Sequence, residues 1–347
     1  MVTIDGSEGA GGGQVLRSAL ALSLVTQQPM TINNIRAKRS KPGLMRQHLT
    51  AVLAAAELGN AELRGAALES SRLTFTPRRK VEAGNYEFRI GTAGSTMLVL
   101  QTVLAPLMLA AGPSRVALEG GTHNPLAPPI DFIRLAYARV LGQMGVTVEA
   151  VLERPGFYPA GGGRCVVSIE TRQQLGSLSL IERGELRRRC VRAVIARLPK
   201  HIAERECRRV TSQLDWPDEL AEIETITDSN SPGNVVFVEL EFEHVTEVVS
   251  SCGERGKQAE QVADHVVAQA QKYLATDVPV GEHLADQLLL PLGLGAHLGT
   301  GGGEFRTLPL SDHSLTHIAV LQKFLEIDVE CRDIEDGNVC VTVSRRR

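Results

Sequence analysis

The sequence predicts an α/β (α+β) fold in which three repeated βαβαββ units form a large domain and a smaller α/β domain is inserted. Two observations carry this expectation: one order of strands, helices and turns recurs along the chain, and a stretch of different character interrupts it before it resumes. In the first unit a strand at 2–4 leads through a glycine-dense turn to a helix over 14–24 and a strand over 30–35. Pro42-Gly43 then opens a helix over 44–58, closed by Gly59, and short strands follow at 61–63 and 72–76. The second unit repeats the order with a strand at 86–90, a turn at 91–95, a helix over 96–110 and a strand at 114–118. A proline-rich turn enters its second helix, 129–142, and strands at 146–152 and 164–169 close it. The third copy is less complete, with a helix over 281–294, a strand at 304–308, a helix over 314–325 and strands at 327–331 and 338–344. Two helices per unit can cover only one face of a small sheet, so the sheets are expected to pack around the helices.

The interruption spans 185–279. It is denser in charge, holds the only tryptophan, Trp216, and has its own strands at 189–196, 222–225 and 234–242 and helices over 203–213 and 257–274. The expected division is therefore a large domain of 1–184 with 280–347, and an inserted domain of 185–279. A divergent lobe of one continuous domain is the alternative.

Composition narrows the function classes. With 347 residues, 43% hydrophobic and only 4% aromatic, the chain can bury a large aliphatic core. Its net charge of -3 removes any global basic excess, so a polyanion would have to be held by a local cluster. Two basic runs exist: Arg36, Lys38, Arg39, Lys41 and Arg46, and Arg183, Arg187, Arg188, Arg189 and Arg192. Either could also be ordinary solvated surface. The six cysteines are scattered with no Cys-x-x-Cys pair, which favours reduced thiols and a cytoplasmic setting. The apolar stretch 97–111 is broken by Gln101 and Pro106, and no leader pattern opens the sequence, so no membrane span is expected.

Asp5-Gly6-Ser7-Glu8-Gly9-Ala10-Gly11-Gly12-Gly13-Gln14-Val15-Leu16-Arg17 is the densest glycine segment. Glycines allow positive φ and converging N–H groups, and the helix start behind them favours anions. Arg17 lies one turn into that helix, on the side of Gln14. No Gly-Lys-Ser/Thr follows, and Gln14 stands where a dinucleotide fingerprint wants glycine or alanine, so a ligand-free tight turn remains open. Arg46-Gln47-His48 on a helix, with Arg39 before it, offers groups that reach phosphate. His313 sits at a helix start after a strand, with His317 one turn on; no glutamate completes a metalloprotease signature. Such an imidazole can be a base, a nucleophile toward activated phosphorus, or a helix cap. Asp286, in the first turns of a helix, can orient a cation or serve as an ordinary cap.

Taken together these segments resemble the RNA 3'-terminal phosphate cyclase family. The likeness rests on Gly11-Gly12-Gly13-Gln14-x-Leu16-Arg17-Ser18, Arg36-Ala37-x-Arg39-x-Lys41-Pro42-Gly43-Leu44-x-Arg46-Gln47-His48, Gly91-x-Ala93-Gly94-Ser95 and Gly120-Gly121-Thr122-x-Asn124-Pro125. It continues through Gly156-Phe157-Tyr158-Pro159-x-Gly161-Gly162-Gly163, Gly281-Glu282-x-Leu284-Ala285-Asp286-Gln287 and His313-x-x-Thr316. The resemblance implies the same repeated fold and an ATP-dependent conversion of an RNA 3'-phosphate into a 2',3'-cyclic phosphate. It makes His313 the nucleophile that takes AMP and releases pyrophosphate, with Arg17 as a catalytic arginine. Gln14, Arg39, Gln47, His48, Pro128, Asp286 and Gln287 then match the nucleotide surroundings, and His283 stands where a tyrosine commonly packs on adenine. The partners implied are ATP, a divalent cation (Mg or Mn) and RNA with a 3'-terminal phosphate, with homodimer formation left open. One departure matters: the family commonly has glutamate where this chain has Ala10, so the metal ligands stay unassigned. Two other classes share the architecture, a ribosome-biogenesis branch and the small-molecule enolpyruvyl transferases. Retention of His313, Arg17 and Gln14 argues against the first, and the second has no need of a nucleotide-linked histidine.

Overall fold

A computed structural model describes residues 1–171 and 174–346; Arg172, Gln173 and Arg347, which fall within the expected domain ranges, lie outside it. Strand β1 (Val2–Asp5) leads to helix α1 (Gly13–Thr26), β2 (Met30–Asn33), α2 (Arg46–Gly59), β3 (Glu62–Arg64) and β4 (Leu73–Thr76). These strands form a sheet of order β1-β2-β4-β3, with β1 parallel to β2 and the other pairs antiparallel. Next come β5 (Asn85–Arg89), α3 (Thr96–Met108) and β6 (Ser114–Gly120). A helical stretch follows as α4 (Ile130–Phe132), a π-helical turn (Ile133–Tyr137) and α5 (Ala138–Gln143), then β7 (Val146–Arg154) and β8 (Gly163–Thr171). The second sheet has the order β5-β6-β8-β7, with the same pattern of one parallel and two antiparallel pairs.

Strand β9 (Ser177–Leu180) is followed by β10 (Leu186–Ala196), α6 (His201–Leu214), β11 (Ala221–Ile226), β12 (Gly233–Phe242), β13 (Thr246–Cys252) and α7 (Ala259–Leu274). Strands β10 to β13 make a sheet of their own, ordered β11-β10-β12-β13, on which α6 and α7 pack. The chain then continues as α8 (Glu282–Leu298), β14 (Gly302–Thr307), α9 (Asp312–Phe324), β15 (Ile327–Asp333) and β16 (Val339–Arg345). Strand β9 pairs parallel with β14, and the last sheet reads β9-β14-β16-β15. The structure is thus a mixed α/β architecture of four-stranded sheets with interspersed helices. A parallel pair needs a crossover, and in the first two sheets one helix supplies it; between β9 and β14 the crossover also contains the β10–α7 segment.

The helices meet on the inside. Helix α1 packs against α2, α3 and α9, and α8 packs against α9. Its run Val15, Leu16, Ala19, Leu20, Ala21, Leu22 and Leu24 is buried, as expected of a helix apolar on nearly every side. The N-terminus of this central helix therefore opens beside the starts of α8 and α9, which places the glycine turn next to two late segments of the chain.

Several elements differ from expectation. The strand expected over 30–35 ends at Asn33, because Asn34 and Arg36 turn left-handed with φ of 53° and 54°. The helix expected from 44 begins at Arg46, and that expected over 129–142 contains the π turn. Strands β9 and β13 were not expected. Among the described residues no helix is long and apolar enough to cross a membrane, and all six cysteines are free.

Candidate active site

The first turn of α1 is held open by its own sequence. Gly12 caps it without any side-chain acceptor, so the leading N–H groups of the helix keep free hydrogen-bonding capacity and a positive end. Gly9 and Gly11, both at φ 54°, bend the preceding chain into the left-handed region where glycine alone is unstrained. The turn is fastened from three directions. The Ala10 N–H donates to Thr316 Oγ1 at 3.0 Å, Lys38 Nζ donates to the Gly9 carbonyl at 3.3 Å, and Arg39 donates to the Ala10 carbonyl at 3.4 Å.

Gln14 joins the beginning of the chain to its end. Its Nε2 donates to Asp286 Oδ1 at 2.5 Å, and its Oε1 lies 3.0 Å from His313 Nδ1. An ionised carboxylate only accepts, so Asp286 fixes the orientation of the Gln14 amide and turns the oxygen toward the imidazole. That oxygen requires a proton on Nδ1 of His313, which leaves the lone pair on Nε2. His313 is exposed, in the first turn of α9, which Ser311 caps by accepting from the Ser314 N–H at 3.2 Å.

Asp286 is the hub. Burial pushes its carboxyl upward, but hydrogen bonds from His317 and Gln14 and the electrostatic attraction of the His317 and His313 imidazoles outweigh this and hold it below its ordinary value. The group is therefore ionised at neutral pH. Gln287 Nε2 reaches Asp286 Oδ2 at 3.1 Å, Gln101 Nε2 donates to Gln287 Oε1 at 2.8 Å, and Arg17 Nε donates to Gln101 Oε1 at 3.1 Å. Burial lowers Arg17 to about 10, with Asp286 opposing the shift, so the guanidinium stays charged. On the other side of the hub, His317 Nδ1 lies 3.1 Å from the Asp286 carbonyl, and its buried Nε2 has no partner. It faces a small cavity of about 40 Å³ lined also by Arg17, Gln101, Tyr137 and Gln287, enough room for a water.

His48 closes the other flank. Its Nδ1 accepts the Met45 N–H at 3.2 Å, capping α2, and burial with the charges of Arg36 and Arg17 drops it to about 3. It is a neutral ring beside a charged arginine. A Cβ on Gly13 would come within 2.6 Å of His48 Nε2 and 2.9 Å of an Arg17 nitrogen. One on Gly12 would stand 2.9 Å from an Arg39 nitrogen and 3.7 Å from His313 Cε1. The two glycines thus keep clear the space onto which two guanidinium groups and the free imidazole face. Gln47 turns outward from this space and accepts the Ser95 N–H at 3.1 Å.

Of the residues singled out in the sequence, Gln14, Arg17, Arg39, His48, Asp286, Gln287 and His313 are linked around the glycine turn. Gln47 braces the neighbouring loop. Pro128 precedes α4 and His283 is exposed on the first turn of α8; neither hydrogen-bonds to the cluster among the described residues. Gln101 was missed as a site residue, although its signal was visible as a polar interruption of the apolar run 97–111. Glu8, two positions from the alanine that replaces the expected glutamate, is ion-paired with Lys323 at 2.9 Å. The two basic runs also separate. The first ties down the glycine turn, whereas Arg187, Arg188 and Arg192 of the second are paired with Glu185, Glu243, Glu222, Glu239 and Asp131.

Known proteins are similar to this chain over nearly its whole length. A protein of Koribacter versatilis named RNA 3'-terminal phosphate cyclase is 46% identical over 336 residues, spanning 97% of this chain and 93% of its own. Proteins of the same name from Pseudomonas fluorescens and Salmonella typhimurium are 47% and 44% identical, each aligned over 97% of this chain and 96% and 97% of their own. The solved enolpyruvyl transferase NikO from Streptomyces tendae aligns with all of this chain and 50% of its own, at 12% identity and a TM-score of 0.37, too low to bear on function. The family model for RNA 3'-terminal phosphate cyclase matches residues 8–331, from the glycine turn past the free histidine, and this chain belongs to that family.

Proposed function

We propose that the chain converts an RNA 3'-terminal phosphate into a 2',3'-cyclic phosphate using ATP, with His313 carrying AMP between the two substrates. The observation behind this reading is the chain Asp286–Gln14–His313, which leaves an unprotonated Nε2 on an exposed imidazole beside a helix N-terminus and two arginines. A histidine held in that tautomer is a nucleophile, and the positive surroundings suit a phosphorus centre.

In the first step His313 Nε2 attacks the α-phosphorus of ATP. The new N–P bond forms as the bond to pyrophosphate breaks, and the positive charge left on the imidazole is shared through Nδ1–H with Gln14 Oε1. Arg17, Arg39 and the free N–H groups of α1 offset the charge on the phosphoryl oxygens. In the second, an oxygen of the RNA 3'-phosphate attacks the AMP phosphorus and the N–P electron pair returns to Nε2. The 2'-hydroxyl then attacks the activated RNA phosphorus, loses its proton and expels AMP. His48 stays neutral and adds no charge that would hold the products. His283 and Pro128 are assigned to the adenine side and Gln47 to the loop beside the phosphates.

The residues present suit the nucleotide, since Gly12 and Gly13 keep open the space it needs. They do not suit a protein-built metal site. No group of three His, Cys, Asp or Glu side chains converges among the described residues, Asp286 is occupied by two glutamines, and Glu8 is turned to Lys323. The steps above are therefore derived without an ion. The domain reading remains that of three βαβαββ units, 1–184 with 280–347, around an inserted domain of 185–279. The shared strand order of three sheets and the β10–α7 segment between β9 and α8 support it.

The test is an RNA oligonucleotide ending in a 3'-phosphate, incubated with the protein and ATP. The end is expected to become resistant to phosphatase, with one AMP and one pyrophosphate formed per end. An end that stays phosphatase-sensitive at every ATP concentration overturns the reading.

A further inference from the structure

Tyr158 is 71% exposed and is the one strongly exposed Phe, Tyr or Trp side chain among the described residues; the others of these types are buried or half-buried. The turn that carries it is well braced. The preceding carbonyl, of Phe157, accepts from the Gly161 N–H at 2.7 Å and from Ser231 Oγ at 3.0 Å. The Phe157 ring lies beneath, stacked on His123 at 5.2 Å. Arg154 Nε donates to the Gly162 carbonyl at 2.7 Å, closing the turn from the other end. These contacts order the backbone that carries the ring, and the exposed ring itself buries little for the fold.

This turn is continuous with the active site. A Cβ on Gly161 would stand 2.7 Å from Ala93 Cα, so the turn lies directly on the 91–95 loop. That loop is held by Gln47 through the Ser95 N–H, and Gln47 adjoins His48 at the wall of the glycine turn. Leu126, fully exposed at φ 61°, stands on the neighbouring loop, whose His123 bridges to Phe157. The charge around the turn matches a polyanion: Arg154 and Arg197 border it, and among the described residues neither has a carboxylate partner. In this they differ from Arg187, Arg188 and Arg192 of the same region, each of which is paired.

We infer that Tyr158 is a stacking platform for a base of the RNA substrate upstream of its 3'-phosphate, with Arg154 and Arg197 on the intervening backbone. The inference rests on the functional reading above. A π-face accepts any base, so the platform gives affinity without sequence preference, and a preordered turn lowers the entropy cost of ordering on binding.

The probe is a 5'-fluorescein RNA decamer with a 3'-phosphate, followed by anisotropy with wild type, Tyr158→Ala, Tyr158→Phe and Tyr158→Trp. Stacking of about 1–3 kcal/mol per base predicts that Tyr158→Ala weakens binding by about 5- to 150-fold, with an unchanged thermal midpoint. Tyr158→Phe and Tyr158→Trp should bind within about threefold of wild type, since each keeps a π-face. Wild-type affinity in Tyr158→Ala overturns the inference, as does equal loss in Tyr158→Phe, which would assign the effect to the hydroxyl. Unchanged RNA binding together with a shift from dimer to monomer assigns the ring to a second copy and also overturns it. If wild type takes label from α-labelled ATP while the alanine variant binds RNA normally, the stacking inference falls alone. A wild type that neither takes label nor binds the RNA brings down the functional reading as well.

Discussion

At the residue scale, the site depends on which atom of His313 carries the proton. Asp286→Asn keeps the shape but supplies an N–H, which lets the Gln14 amide reverse and present its own N–H to His313 Nδ1. The proton then moves to Nε2, where it blocks attack. In a triad with the same logic such an amidation costs about 10⁴-fold, so Asp286→Asn should lower label uptake from ATP by about 10²- to 10⁴-fold with an intact fold. Nitrogen-detected NMR of His313 should report the exchanged tautomer; an unchanged tautomer with full uptake would refute the role of Asp286. Gly13 gives an independent check. Its φ is not in the left-handed region, so alanine suits the backbone there and the backbone term alone favours it by about 0.5–1 kcal/mol. Its Cβ would nonetheless collide with the buried ring of His48 and with Arg17, which offsets that gain, so Gly13→Ala should lose activity by more than about 10-fold and melt no later than wild type; activity equal to wild type would contradict this. These residues were partly legible beforehand. Glycine density, the spacing of Gln14 to Arg17 and the helix-start position of His313 pointed to an anion site, but only the fold shows that Asp286, some 270 residues away, orients the amide between them.

At the element scale, the strands that escaped notice are instructive. Strand β9 is four residues, Ser177–Leu180, and the helix that follows it in the repeated order lies about 100 residues on, beyond α7. A strand so short, without its partner helix beside it, carries no local period, which is why the third unit looked incomplete. Strand β13 alternates poorly because nearly all of Thr246–Cys252 is covered, with only Ser250 and Cys252 partly open. One of its residues reaches across to the site. Glu247, 2% exposed, accepts the Gly281 N–H at 3.1 Å and so holds the residue that opens α8, the helix carrying Asp286 and Gln287. Burial raises its pKa to about 8, from an ordinary 4.5, with the Gly281 bond opposing. The unfolded chain therefore loses this proton at lower pH than the folded one, and the group's contribution to stability falls as pH rises from about 4.5 to 8. Glu206 in α6, also raised to about 8, acts in the same window, so the comparison has to be made between variants. Glu247→Gln keeps an acceptor and cannot ionise. Its melting temperature relative to wild type should be higher at pH 8.5 than at pH 5, and a difference independent of pH would contradict this account.

At the scale of the whole molecule, the groups of the proposed site come from both ends of the chain. The start of α1 supplies Gln14 and Arg17, and α8 and α9 supply Asp286, Gln287 and His313, brought together because α1 is buried among the other helices. The repeat order and the interrupting segment were readable from turn residues and apolar periods. The direction of strand pairing was not, because parallel and antiparallel pairs of buried strands share one composition. Nor was the separation of the basic runs, since a run of arginines looks alike whether it fastens a glycine turn or is paired with carboxylates across a sheet. The central claim, that His313 carries AMP, is tested most directly by incubating the protein with α-labelled ATP and mapping any retained label. Acid-labile, alkali-stable label on His313, absent from His313→Ala and released as AMP when RNA with a 3'-phosphate is added, is the predicted result; label that persists in His313→Ala, or none retained by the wild type at saturating ATP with magnesium or manganese, would contradict it.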